Sequence, residues 1–423
     1  MPDREMKDSR IRWLGNIPVS WDIVKVKDGF IQKKAKANQE NPVILSLARD
    51  AVKVRDISTN EGQIAASYFE YNPVEPYDML LNPMDLQSGA NCSISKVSGV
   101  ISPAYVNLRY KTGYDPSFYD YYFKYQYWSY AFFAHGKGVS FENRWTLNTE
   151  TLMNYPLLRP SYDEQCHIAN FLDRKCSRID EISKKIQEEI DTLEEYKKSV
   201  ITEAVTKGLD PNVEMKDSGI EWIGEIPANW IIHPVYYYFG ERKNKNVGVK
   251  EQNLLSLSYG NIIRKDINTT GGLLPASFST YNIIEPGDII IRPTDLQNDK
   301  RSLRTGLAKE HGIITSAYID LMPIKDVNSE YFHYLLHTYD VMKVFYNMGN
   351  GVRQGLNYEE FGRLMVFEPD RLEQDAIVSY LNEKCDQIDT SIKTKKQQLS
   401  TLEEYKKSII YEYVTGKKEA PEC

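Results

Sequence analysis

The sequence predicts an α+β protein in which two related globular α/β domains stand in tandem, separated by two long antiparallel coiled-coil helices. Three observations predict it: an internal repeat, mixed strand and helix signals inside each repeat, and a long heptad-patterned segment at the end of each. The length of 423 residues also exceeds one ordinary hydrophobic core, which favours more than one domain.

The internal repeat has an offset of 209 residues, as the pairing of Trp13 with Trp222 shows. The first and last segments of the two halves are nearly identical, and the first segment of each half ends in an Ile-Pro-x-x-Trp motif. The middles of the two halves match only at short motifs. Collinear matches of this kind indicate two halves with one fold. The matching segments are residues 6–21 with 215–230, 75–78 with 285–288, 85–87 with 295–297, 136–139 with 349–352, and 192–199 with 401–408.

The middle of each half combines strand and helix signals. Apolar runs at residues 79–81 and 289–291 follow Pro-x-Asp turns, which is typical of short buried strands. Residues 118–133 and 331–348 carry aromatic and aliphatic side chains at helical spacing. Because helical periodicity normally reports burial, these segments predict aromatic core helices rather than base-stacking surfaces.

Each half ends in a segment that predicts a helix of some 45 residues, nearly 70 Å long at about 1.5 Å per residue. Both helices open with capping-box spacing, at residues 161–164 and 370–373. Apolar residues recur every seven positions, with a break at Lys395 in the second helix. Neither apolar stripe can be buried alone, so we expect the two helices to pack together and antiparallel. The predicted boundaries are 1–160 for the first domain, 161–208 for its helix, 209–369 for the second domain and 370–423 for its helix.

Composition restricts the class of protein. The five cysteines are widely spaced without a Cys-x-x-Cys pair, which argues against a zinc ribbon or a disulfide framework. The charged first residues and the absence of an apolar run of about 20 residues predict a cytoplasmic protein with no membrane partner. The net charge of −7 leaves room for a local basic face, since charges act over a Debye length of about 10 Å.

The sequence lacks the common motifs of catalysis. Residues 82–85, Asn-Pro-Met-Asp, lack the second proline and the aromatic residue of an amino-methyltransferase loop, and no Walker loop, nucleophile elbow or His-Glu-x-x-His is present. His333 and His337 lie four residues apart on a predicted helix but have no obvious third ligand, so a structural or solvated pair is favoured over a metal site. The chain is therefore predicted to be non-catalytic, with no metal and no cofactor of its own.

Basic and amide side chains in the middles are candidate contacts to DNA. Phosphates attract Lys and Arg, and base edges favour Arg, Lys, Asn and Gln. A single basic cluster is more often a solvated loop, but the recurrence of the first cluster in both halves makes the two interpretations about even. The candidates are Lys33, Lys34, Lys36, Gln87, Arg242, Lys243, Lys245, Gln297, Lys300, Arg301, Arg304 and Arg353.

Taken together, these motifs resemble the specificity subunit of type I restriction–modification systems. The resemblance covers nearly the whole chain. It rests on the Ile-Pro-x-x-Trp motifs, the Gly-Asp turn at 287–288, the Gly-x-Gly-Val segments, and Glu-Gln at the head of each long helix (164–165 and 373–374). The first half departs from it at Tyr77, which replaces the glycine of the turn, and at Ser140, where the second half has Arg353.

The resemblance implies two target-recognition domains, each reading one half of a bipartite double-stranded DNA site, and long helices that hold two methyltransferase subunits. Restriction subunits complete such complexes; S-adenosylmethionine and ATP with Mg²⁺ serve the partner subunits. The expected partner-binding residues are Glu194, Glu195, Lys197, Lys198, Glu403, Glu404, Lys406 and Lys407. Two alternatives remain open at this stage: a coiled-coil adaptor unrelated to DNA, and a DNA methyltransferase with unrecognised motifs.

Overall fold

The computed structural model describes most of the chain. The described residues are 4–48, 51–58, 65, 67–84, 86, 92–138, 145–268, 275, 277–294, 296, 303–348 and 355–421.

The two halves present the same order of strands. The second half has 3-10 helices at Phe278–Thr280 and Val344–Asn347, and the latter stands where the first half has the short α-helix Ala131–Ala134. The first half contains β1 (Met6–Asp8), β2 (Asn16–Pro18), β3 (Asp22–Lys25), α1 (Val26–Gly29), β4 (Phe30–Gln32), β5 (Leu45–Leu47), β6 (Val52–Val54), β7 (Asn72–Val74), β8 (Met79–Leu81), β9 (Cys92–Ile94), β10 (Gly99–Ile101), β11 (Val106–Tyr110), α2 (Pro116–Trp128), α3 (Ala131–Ala134), α4 (Thr149–Met153), β12 (Pro156–Arg159) and α5 (Tyr162–Lys207).

The second half contains β13 (Met215–Asp217), β14 (Glu225–Pro227), β15 (Ile231–Pro234), α6 (Val235–Tyr238), β16 (Phe239–Glu241), β17 (Leu255–Ser258), β18 (Asn261–Arg264), β19 (Asn282–Ile284), β20 (Ile289–Ile291), β21 (Thr305–Leu307), β22 (Gly312–Ile314), β23 (Ile319–Pro323), α7 (Ser329–Val341), α8 (Tyr358–Phe361), β24 (Met365–Glu368) and α9 (Arg371–Val414). The predicted α+β class with two long helices is confirmed.

A four-stranded antiparallel sheet forms the centre of each half. Its strand order is β4-β11-β8-β9 in the first half and β16-β23-β20-β21 in the second. The registers agree: Asn107 of β11 lies opposite Leu80, and Asp320 of β23 lies opposite Ile290. Asn107 and Asp320 are therefore equivalent positions of the repeat.

The aromatic helices α2 and α7 belong to the cores, as predicted. Phe118, Tyr122 and Phe123 are fully buried in the first half. The buried tyrosines of α2 donate their hydroxyl protons to backbone carbonyls. Tyr119, for example, donates to the Leu158 carbonyl at 3.0 Å, which binds α2 to β12. A tyrosine-rich core thus gains apolar contact and hydrogen bonds together.

The chain divides into two compact units, Met1–Gln187 with Lys396–Cys423, and Glu188–Lys395. Each unit contains part of both long helices. In the first unit the rings of Phe171 and Tyr413 lie 4.6 Å apart between centroids, and Asp180 accepts from Lys406 at 2.6 Å. As the residue number rises on α5 it falls on α9, so these two segments run antiparallel, as expected.

In the second unit the helix segments pair in the same sense. Lys197 of α5 donates to Asp389 of α9 at 2.7 Å, and Glu189 accepts from Lys395. The lysine that interrupts the apolar stripe of α9 is therefore held by a carboxylate on α5.

The head of each long helix is bound to the opening segment of its half. Ser161 and Asp370 cap the two helices, accepting from the backbone N–H three residues on. The carboxylates of Glu164 and Glu373, however, do not complete a capping box. Glu164 accepts from the Trp21 indole N–H at 2.9 Å, and Glu373 accepts equivalently from Trp230 at 3.1 Å. The capping-box prediction was half right: the cap forms, but the carboxylate binds the tryptophan of the Ile-Pro-x-x-Trp motif.

Candidate nucleic-acid interface

In the first half, the basic cluster that starts at Lys33 faces the Glu-Pro-x-Asp turn. Asp78 has no exposed side-chain surface and accepts from the Lys33 ammonium at 2.8 Å and from the Arg109 guanidinium at 2.9 Å. Its second oxygen also accepts from the backbone N–H of Glu75, within the turn. Two cations from neighbouring strands thus neutralise one buried carboxylate.

The second half repeats this arrangement with one additional carboxyl group. The Arg242 guanidinium approaches the two oxygens of Asp288 at 2.7 and 3.0 Å. Asp320, in the position of Asn107, lies beside this pair, and neither of its carboxyl oxygens has a hydrogen-bond donor among the described residues. Burial, with Asp288 as the next cause, raises the pKa of Asp320 to about 8. Asp320 is therefore protonated at neutral pH.

These contacts give Lys33 and Arg242 a structural role within the chain, and their contact with DNA stays a prediction. Each side chain is only one-fifth exposed and is engaged by a buried aspartate. Removal of Arg242 would leave the buried charge of Asp288 unpaired, and removal of Lys33 would leave Asp78 with Arg109 as its cation. Both residues therefore hold the turn to the sheet. The sequence carried a signal for this role, because the pair of a basic residue and an aspartate occurs in both halves, as Lys33 with Asp78 and as Arg242 with Asp288. The contributions of Arg109 and Asp320 were missed, since neither recurs.

The other described members of the clusters lie at the surface. Lys34 is exposed. Lys36 pairs with Glu70 at 2.5 Å and Lys243 with Glu241 at 2.8 Å; the lysine side chains remain 61% and 70% exposed. Exposed ion pairs of this kind contribute little to stability and exchange readily for another anion.

Lys245 is also exposed, and its ammonium donates to the Thr280 carbonyl and to Asn282 Oδ1 at 2.9 Å. Lys34, Lys36, Lys243 and Lys245 therefore remain candidates for phosphate contact.

The prediction that Arg304 contacts DNA is wrong for this structure. Arg304 has no exposed surface, and its guanidinium donates to the Tyr346 hydroxyl at 3.0 Å and to the Thr294 carbonyl. A residue buried in this way cannot reach a phosphate. The candidates Gln87, Gln297, Lys300, Arg301 and Arg353 lie outside the described residues.

The residues expected to bind a partner fall into two groups. Lys197 and Lys406 are equivalent in the repeat, and each forms an ion pair with the equivalent aspartate of the other helix, Asp389 or Asp180. These ion pairs within the chain therefore explain why the two lysines recur. Of the remaining residues, Lys198 pairs with Glu195 and Lys407 pairs with Glu403. The side chains of Glu194 and Glu404 are exposed to solvent.

Two absences concern the described residues only. His333 and His337 form no metal site there, because no group of three or more potential ligands occurs in that part of the chain. Burial lowers the pKa of His333 to about 3 and that of His337 to about 4, so both imidazoles are neutral. Across the same residues, no helix is long and apolar enough to span a bilayer.

A similar fold is found in a solved structure of a type I restriction–modification system. No family model matches the chain. A chain from a structure concerning complex assembly and conformational transition of the type I restriction–modification (R-M) system aligns with a TM-score of 0.68 at 12% identity, over 94% of this chain and 98% of that one.

Two lower similarities, each at 12% identity and over 95% of this chain, are to the HsdS subunit from Thermoanaerobacter tengcongensis (TM-score 0.49, 98% of that chain) and to the type I R-M S subunit from M. genitalium (TM-score 0.37, 96% of that chain). At 12% identity, the first of these similarities shows the fold alone. The chain shares its fold with a chain of a type I restriction–modification system.

Proposed function

We propose that this chain is the DNA-recognition subunit of a type I restriction–modification complex, without catalytic activity of its own. The observation that carries the proposal is the similarity in fold over 94% of the chain to a component of such a complex. The duplicated domain supports a bipartite target, because two folds with the same frame but different middles suit two different reading tasks. The adaptor and methyltransferase alternatives have no comparable support.

Methyltransferase subunits are the partners that we assign to the long helices, with restriction subunits completing the complex. Tyr196 and Tyr405 occupy equivalent positions and are 52% and 53% exposed. Half-exposed aromatic side chains beside repeated Glu and Lys residues are typical of an interface, in which tyrosine supplies apolar area and a hydroxyl. Two equivalent surfaces suit two copies of one partner.

The proposed function is tested by mapping methylated adenines across the genome of a host with and without this gene. A bipartite motif with a fixed gap should be methylated only when the gene is present. DNA affinity of the chain should be weak alone and strong with its methyltransferase at the same salt concentration, since the net charge is −7. Tight and sequence-specific binding by the bare chain, or an unchanged pattern of methylation, would contradict the proposal.

The docking surface is tested by charge reversal of Glu194, Glu195 and Lys198, leaving Lys197 in place because it pairs within the chain. We expect co-purification with the methyltransferase to fall while the melting temperature is unchanged. A matched control reverses Glu181 and Lys185, which are exposed on the same helix but do not recur on α9. Equal loss with both variants, or retention with the first, argues against docking at this surface.

A further inference from the structure

The turn that precedes β8 in the first half holds a tyrosine in an unfavourable backbone conformation. Tyr77 has a φ of 68°, in the left-handed region that bulky side chains rarely adopt, and 52% of its surface is exposed. The second half has Gly287 in this position, with a φ of 95°. The backbone N–H of each residue donates to the equivalent carbonyl, of Ser95 at 2.7 Å and of Ala308 at 2.9 Å. The turn thus forms without a side chain here, and a strained residue that lies mostly in solvent is typical of a functional site.

The base of this turn is electrically balanced. Lys33 and Arg109 donate to Asp78 at 2.8 and 2.9 Å. Each of the two cations also lies 3.5 Å from the carboxylate of Glu75. Two cations therefore match two carboxylates, and they hold the turn against the ends of β4 and β11.

Two exposed lysines add positive charge beside the turn. Lys34 directly follows Lys33, and Lys96 directly follows Ser95, whose carbonyl accepts from the Tyr77 N–H. The side chains of Lys34 and Lys96 are both exposed to solvent. Since the charges at the base of the turn cancel, these two lysines leave the surface around Tyr77 with an excess of positive charge.

The equivalent turn of the second half has a different balance of charge. The registers of the two sheets align three changed positions, at which Arg109 is replaced by Met322, Gln32 by Glu241, and Val97 by Glu310. Glu241 pairs with Lys243 at 2.8 Å, and Glu310 accepts from Arg264 at 2.7 Å. Carboxylates thus engage cations around the second turn. Among the described residues, the excess of positive charge and the exposed tyrosine occur together in the first domain.

We propose that Tyr77, Lys34 and Lys96 form a surface that binds the sugar–phosphate backbone of DNA at the half-site of the first domain. This rests on the proposed function. Lysine ammonium groups neutralise phosphates, and a tyrosine supplies an apolar ring for a sugar and a hydroxyl that donates to a phosphate oxygen. Lys33 and Arg109 hold the turn through Asp78, so that the turn presents Tyr77 to the DNA.

The test uses the complete complex with its methyltransferase. One duplex carries the bipartite target found by methylation mapping, and a second duplex of the same length has an unrelated sequence. Lys34→Gln combined with Lys96→Gln should weaken binding to both duplexes and lower the slope of log affinity against log salt by about 2, because two phosphate contacts are lost. The ratio of the two affinities should stay unchanged, since backbone contacts carry no sequence information.

Tyr77→Gly should weaken binding to both duplexes about fivefold, the value of one hydrogen bond, without a change in the salt slope. The melting temperature should not fall, because glycine adopts left-handed backbone without strain. The matched control is Lys175→Gln combined with Lys185→Gln, which removes the same charge from exposed positions of α5. Its affinities and its salt slope should remain those of the wild type.

The inference is overturned by an unchanged salt slope in the Lys34 and Lys96 variant, by an equal decrease in the control, or by a lower melting temperature of Tyr77→Gly. Loss of discrimination at one half-site would instead make Tyr77 a base contact. Weaker co-purification of the methyltransferase with unchanged DNA affinity would make this surface a protein interface, and either result overturns the backbone contact. If the wild-type complex distinguishes no bipartite target, the proposed function itself fails.

Discussion

Replacing Asp320 by Asn should make the second domain more stable at neutral and alkaline pH but not at acid pH. Asp320 is 1% exposed and lies beside Asp288, whose charge is already matched by Arg242. Its pKa is raised from 3.8 to about 8, first by burial and then by Asp288. The folded protein therefore keeps a proton on Asp320 over a pH range in which the unfolded chain has released it.

The sign and size follow from linkage. Because the folded state binds the extra proton, the stabilisation is complete below the unfolded pKa of 3.8 and is lost as pH rises through the folded pKa of about 8. One proton changes the unfolding free energy by about 1.4 kcal/mol per pH unit, so the whole interval corresponds to an upper bound of roughly 6 kcal/mol. Asn carries no titrating proton, and its amide can donate to Asp288 as a protonated Asp320 would.

The assay is urea unfolding of wild type and Asp320→Asn from about pH 5 to about pH 7.5, with hydrogen exchange of β20 and β23 to localise the effect. The difference in unfolding free energy should grow by about 3 kcal/mol over this interval. Groups common to both proteins cancel in that difference. The matched control is Asn107→Asp, which places a carboxyl beside Asp78 and should give the first domain the same loss of stability with rising pH. Parallel pH curves for wild type and Asp320→Asn would refute the reasoning.

Three further predictions concern the long helices. Gly416→Ala should lower the stability of the first unit by about 2 kcal/mol or more, because φ is +69° and a Cβ would lie 2.5 Å from Pro18; left-handed backbone alone costs roughly 1–2 kcal/mol, and an unchanged melting temperature would count against it. Lys197→Glu should destabilise the helix pair by about 1 kcal/mol in urea unfolding, with recovery in the double variant with Asp389→Lys; additive losses would exclude the pairing. Trp21→Phe, which removes the N–H donor to Glu164, should lower the free energy of unfolding by about 1–3 kcal/mol in the same assay. An unchanged midpoint of unfolding would show that this hydrogen bond does not stabilise the fold.

The repeat made most of the fold predictable. Heptad spacing predicted the long helices, and the need to bury their apolar stripes predicted that each helix packs against another helix. The ion pairs of Lys406 with Asp180 and of Lys197 with Asp389 show that the two helices do pair, and that they run antiparallel. Helical aromatic spacing likewise predicted a core helix. Such periodic signals are carried by many residues at once, so they survive local exceptions such as Lys395.

The candidate interface was harder to predict because charge in a sequence does not reveal burial. Lys33, Arg242 and Arg304 have the composition of a phosphate-binding cluster, yet buried Asp78, Asp288 and the Tyr346 hydroxyl engage them. The capping-box spacing at residues 161–164 was misleading for the same reason, since a free carboxylate accepts from whichever donor the tertiary fold brings near.

Residues can be the same in the two halves of this chain for two reasons: because the fold needs them, or because a function outside the fold needs them. Trp21 and Trp230 recur because each binds the glutamate at the head of a long helix, and Lys197 recurs as Lys406 because each pairs with an aspartate on the other helix. Contacts inside the chain are sufficient to explain why these tryptophans and lysines recur. Tyr196 and Tyr405 also recur, and about half of the surface of each is exposed to solvent. Such repeated, exposed aromatic positions are what the proposed docking of two copies of one partner on the two helices requires.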